Sequence, residues 1–205
     1  NKLGRGIFMQ GNHKQSDKPD FHWKEKRIPF PFEAPNWMLN NLSVKSFNSL
    51  YYHKHLTKRK QTTIDFDSFF YPFDSITNWN KMYGKRGFLQ YQMVIPFENG
   101  SRILNEILRK IALAREGSFL AVLKTFGNIP AEGMMSFPRF GITLALDFGF
   151  KGESTLTLLE YLDAIVYECG GAVYPAKDAR MSHNSFIKYF PNYSKFSEYI
   201  DPNFT

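Results

Sequence analysis

The sequence predicts an α+β fold: a ferredoxin-like split β-α-β-β-α-β antiparallel sheet, helices on one face, preceded by an irregular N-terminal arm. Three observations predict it. Residues 86–200 alternate short strand-patterned runs with two runs of helical period. Residues 1–80 are polar, basic and broken by Pro29, Pro31 and Pro35. Hydrophobic residues make up 43% of the 205, and 17% are aromatic, which is enough for a sizeable core without disulfide staples.

The arm (1–80) carries one or two short helices around 35–48 and an exposed basic loop at 53–64. The regular part (81–205) opens with FLQYQMVI (88–95), where Phe88, Gln90, Gln92 and Val94 alternate with Leu89, Tyr91, Met93 and Ile95 up to Pro96. A helix follows over 99–116, with Ile103, Leu104, Ile107, Leu108 and Ile111 on one stripe and Ser101 as its N-cap. SFLAVLKTF (118–126) is the second strand, followed by a Gly/Pro-rich connection from Gly127 to Pro138. FGITLALDF (140–148) is the third strand. Leu156, Leu159, Leu162, Ile165, Val166 and Cys169 mark a second helix over 154–169, closed by Gly170 and Gly171. GAVYPA (171–176) is the fourth strand. In this topology the sheet face opposite the helices is free and must meet something.

The net charge of +7 admits nucleic acid, acidic membrane surfaces and phosphorylated substrates as partners. Much of it sits at 12–28 and 53–60. The single cysteine, Cys169, excludes an intrachain disulfide and reads as an inert buried thiol in a reducing compartment. No run of ~20 apolar residues or signal peptide is visible. The start at Asn1 and the stop after IDPNFT read as a piece cut from a longer protein.

Chemistry-bearing residues concentrate on one face. Gln90 and Gln92 share a side of the first strand, Lys124 lies near the end of the second, Asp147 on the third, and Tyr174 leads into Lys177 on the fourth. A polar side chain inside an apolar strand costs several kcal/mol unless paired. Each residue alone can be a solvent-wetted sheet position; the set as a whole points to a site. Gly4-Arg5-Gly6 lacks the strand–helix frame of a dinucleotide motif. His53-Lys54-His55 is a poor metal site, because its lysine-rich surroundings repel cations. The five histidines (13, 22, 53, 55 and 183) have no catalytic spacing with Ser or Cys.

The ordered runs FYPFDSITNWN (70–80), YGKRGFLQYQMVIP (83–96), SFLAVLKTFG (118–127), MSFP (135–138), GITLALDF (141–148) and GGAVYPAKDARM (170–181) resemble the C-terminal cap of FAD-linked oxidoreductases of the vanillyl-alcohol oxidase superfamily. The branch acting on polyprenylphosphoryl sugars stands nearer than the aldonolactone oxidases. GRGIFMQGNH (4–13) resembles the tail of the preceding flavin domain, so the resemblance implies a cap (81–205) whose FAD is held mainly by a domain not in this chain. It implies that Tyr174 and Lys177 lie beside the cofactor, with Lys177 catalytic. It places Gln90, Gln92, Thr143 and Ala145 on the substrate wall and Lys124 near the substrate's polar end. Ala145 stands where that branch carries a cysteine, so thiol-directed inhibitor chemistry is not expected to carry over; Thr143 stands where it carries an asparagine. The implied activity is oxidation of a hydroxyl on a sugar-like, polyprenyl-phosphate-linked substrate, by a parent whose isolated fragment is inactive. The expected location is cytoplasmic and peripheral to the membrane, with the basic 53–60 run at its surface and no nucleic acid bound.

Two other readings stay open. One is a basic RNA-binding module on the same split sheet, although no RNP-like aromatic consensus is present. The other is a structural remnant without activity.

Overall fold

A computed structural model describes residues 5–15, 27–35, 38, 40–54, 57–71, 74–177 and 180–203. Gly4, His22, His55 and Asp178, and with them parts of the quoted runs, lie outside the described residues. The chain divides into two compact units, Asn1–Gly87 and Phe88–Thr205.

In the first unit a short parallel pair joins β1 (Ile28–Pro29) to β2 (Ile76–Thr77). Helix α1 spans Asn41–His53, later than expected, because Asn40 is its cap: the Asn40 side chain accepts from the amides of Leu42 and Ser43, and the Ser43 hydroxyl accepts from the Asn40 amide. Helix α2 (Phe66–Phe70) starts where Asp65 accepts from the Ser68 amide. A 3₁₀ turn at Trp79–Tyr83 buries Met82 and Tyr83. The described part of the 53–60 run (Lys54, Lys58, Arg59 and Lys60 among it) is exposed.

The second unit holds a four-stranded sheet of β3 (Phe88–Ile95), β4 (Ala121–Phe126), β5 (Gly141–Gly149) and β6 (Ala172–Val173), in the order β4-β5-β3-β6 with every neighbouring pair antiparallel. Helix α3 (Gly100–Leu113) links β3 to β4, and α4 (Glu153–Glu168) links β5 to β6. The chain is therefore α+β, and the β-α-β-β-α-β succession is as the sequence predicts. The helical stripes Ile103, Ile107, Ile111 and Leu158, Leu159, Leu162, Val166 join one core with Tyr91, Met93, Ile95, Leu144, Leu146 and Phe148. Strand alternation puts these sheet residues on one face. The opposite face then carries Gln90, Gln92, Thr143, Ala145, Asp147 and Lys124.

Several boundaries differ from expectation, each for a local reason. Ser101 is not the cap of α3: Asn99, at φ 57, turns the chain into the helix, and Gly100 already lies within it. The second strand begins at Ala121: just before it the Asp147 amide is shared between the Ser118 hydroxyl at 2.9 Å and the Leu120 carbonyl at 3.3 Å, and the Ser118 hydroxyl itself donates to the Leu120 carbonyl. The fourth strand stops at Val173. Tyr174 still donates its amide to Gln92, but Pro175 has no N–H with which to continue. Gly170 and Gly171 close α4 as expected, donating to the carbonyls of Tyr167 and Val166 with Gly170 at φ 74. Two short C-terminal helices, α5 (His183–Tyr189) and α6 (Tyr193–Ser197), escape the periodicity reading, since neither is longer than two turns.

Candidate functional site

The site is built on the face of the sheet turned away from α3 and α4. Gln90 and Asp147 are direct cross-strand partners, and the Gln90 Nε2 donates to Asp147 Oδ1 at 3.0 Å. The turn after β6, closed by the Lys177 amide on the Tyr174 carbonyl, brings the Lys177 ammonium to Gln90 Oε1 at 2.6 Å. A carboxylate only accepts and an ammonium only donates, so a single orientation of the Gln90 amide satisfies both. The result is a line: buried anion, amide, exposed cation. Asp147 is 0% exposed and so is removed from water, while Lys177 is open to solvent.

Two residues further along β3, Gln92 Nε2 donates diagonally to the Thr143 hydroxyl at 3.2 Å, and Ala145 sits directly opposite Gln92. Thr143 is 2% exposed. Asp147 and Thr143 are both buried. The face is thus not free along its whole length, as the topology alone led us to expect. Phe137 packs beside Tyr174. It stacks on the Tyr174 ring at 4.7 Å and meets Phe126 edge-on. Arg139 fixes that connection, donating to the Phe137 and Tyr189 carbonyls; its half-buried guanidinium is lowered from its ordinary pKa, mainly by desolvation.

Lys124 shares the face but not the cluster. It pairs with Thr143, whereas Gln90 pairs with Asp147, four residues along β5. That separation is about 13 Å along the strand. The two lysines therefore mark distant positions on an elongated surface.

On the helix side of the same strand lies a second polar cluster, which periodicity does not reveal. The buried Tyr91 hydroxyl donates to Asp163 Oδ1 at 3.0 Å, and Arg180 Nη1 meets Asp163 Oδ2 at 2.8 Å. Burial, and then the Asp163 charge, push the Tyr91 phenol well above its ordinary value of 10.0; Tyr189 is raised for the same two reasons. Because these folded-state values exceed the unfolded ones, their stabilisation is complete below pH 10 and is lost as pH rises through the raised values. Denaturant midpoints should therefore fall steeply above pH ~10, and Tyr91→Phe should flatten that fall; an unchanged slope in the variant would contradict the assignment. The Cys169 thiol is half-buried and raised by desolvation, as expected of an unreactive cysteine.

Among the described residues no group of three or more His, Cys, Asp or Glu could hold a metal, and no helix is long and apolar enough to cross a membrane. No protein-family model matches the chain. Over 98% of its length the chain is 31% identical to decaprenylphosphoryl-β-D-ribose oxidase of Mycolicibacterium smegmatis, and it spans 45% of that protein. The chain is thus similar over nearly all its length to a part of decaprenylphosphoryl-β-D-ribose oxidase, and it spans less than half the length of that protein.

Proposed function

We propose that this chain is the substrate-binding cap of an FAD-dependent oxidoreductase that oxidises a hydroxyl of a sugar-like, polyprenyl-phosphate-linked substrate. One observation carries the reading: the Asp147–Gln90–Lys177 line, which holds a cation at the exposed end of a sheet face, in a chain related to such an oxidase over nearly all its length. The residues fit one part of the cofactor. Lys177 has three N–H donors, of which the Gln90 contact uses one, and Tyr174 brings an aromatic ring to the same turn. The dinucleotide end of the cofactor is assigned to another domain of the parent.

A bound FAD would supply the hydride-accepting chemistry. The residues of this chain supply position and field. Gln90 holds the Lys177 ammonium in place, and Asp147 fixes the Gln90 amide. A cation about 4 Å from developing negative charge stabilises it by up to ~4 kcal/mol at an effective dielectric of 20, before desolvation is subtracted. Gln92 and Ala145 form the wall along which the sugar lies, the buried Thr143 hydroxyl holds the Gln92 amide, and Lys124 meets the polar end of the sugar. The exposed Lys54, Lys58, Arg59 and Lys60 support contact with an anionic membrane surface, worth roughly 1 kcal/mol per basic residue.

The test uses the full-length parent. It should carry flavin absorbance, and that absorbance should bleach when decaprenylphosphoryl-β-D-ribose, the compound in the relative's name, is added without oxygen. A parent purified without flavin would overturn the class; a flavoprotein that does not bleach would overturn the substrate.

A further inference from the structure

The Lys177 turn is held at both ends, on opposite faces of one strand. Gln90 and Tyr91 are successive residues of β3 and so point to opposite sides of the sheet. Gln90 takes the Lys177 ammonium on one side. Tyr91 donates to Asp163 on the other, and Asp163 takes the Arg180 guanidinium, which lies 6.0 Å from the Tyr91 ring centroid. Arg180 lies only three positions after Lys177, so fixing Arg180 confines the Lys177 backbone to within about 10 Å of it. At its other end the turn is tied by the Tyr174 amide on the Gln92 carbonyl.

We propose that Asp163 is a positioning residue for Lys177: by holding Arg180 against Tyr91 on the helix side, it keeps the Lys177 ammonium at Gln90 on the site side. Asp163 itself touches neither substrate nor cofactor. It lies on α4, behind the sheet, and acts only through the turn. This inference rests on the reading of Lys177 as the cation that faces a flavin.

The test is the flavin midpoint potential of the full-length parent, which needs no substrate. Losing the Lys177 cation lowers it, because the negatively charged reduced form loses a stabilising charge. Deleting a carboxylate has the opposite direct effect. Asp163→Asn should nevertheless lower the potential, by less than Lys177→Ala does, and should give no further fall in the Lys177→Ala background. A rise, no change, or a fall that adds in full to that of Lys177→Ala would overturn the inference. Tyr91→Phe, which changes no charge, should give a smaller fall of the same sign, and it serves if Asp163→Asn does not fold. If Lys177→Ala itself leaves the potential unchanged, the flavin-facing reading fails, and the positioning role fails with it. If only Lys177→Ala moves it, the positioning role alone fails.

Discussion

Replacing Lys177 with alanine in the full-length parent is expected to slow flavin bleaching by decaprenylphosphoryl-β-D-ribose about 10²–10³-fold. The magnitude follows from the loss of one preorganised charge at a site of developing negative charge. The fold should not suffer. Lys177 is exposed and joined to Gln90 by its ammonium, so its removal leaves Gln90 Oε1 to water rather than to a dry core. Flavin content and unfolding midpoint should therefore match the unaltered protein while the rate collapses. Stopped-flow absorbance measures it, and bleaching at the normal rate would remove Lys177 from the chemistry.

The largest effect on stability is expected at Gly141. This first residue of β5 sits so close to β3 that an added Cβ would lie 2.3 Å from the Ile95 carbonyl oxygen. The obstacle is backbone, the carbonyl of the last residue of β3, which cannot rotate aside as a side chain can. Gly141→Ala should therefore cost about 3 kcal/mol, the upper end of the usual overpacking range. That is a large fraction of the 5–15 kcal/mol that holds a typical domain together. Gly127→Ala is the control, since a Cβ there meets nothing within 4 Å. Urea denaturation should separate the two; equal midpoints would show that the sheet opens easily at this row.

Much of this architecture is legible in the sequence, and the exceptions have physical causes. The two long strands and two long helices of the second unit bury whole faces, so Tyr91, Met93 and Ile95 or Ile103, Ile107 and Ile111 repeat with the period of their element. Strand ends are set instead by single groups, such as the Ser118 hydroxyl on the Asp147 amide or the missing N–H of Pro175, which hydrophobic period does not register. The candidate face was legible as a set of residues because alternation alone puts Gln90, Gln92, Thr143 and Asp147 on one side. Their contacts were not. Gln90 meets Asp147 directly while Gln92 reaches diagonally to Thr143, and that difference depends on the register between β3 and β5, which brings together residues 57 and 51 apart in the chain. Nor could period find the Tyr91–Asp163–Arg180 cluster. Tyr91 reads as an ordinary core position, and its hydroxyl partner lies 72 residues away.

In the proposed function Lys177, held by Gln90 and Asp147, faces a flavin supplied by another part of the parent. The midpoint potential of that flavin tests it most directly, because it requires neither the right substrate nor turnover. Lys177→Ala should lower the potential by a few tens of millivolts, about 30 mV corresponding to 1.4 kcal/mol for a two-electron couple. A potential that stays the same in Lys177→Ala would contradict the claim.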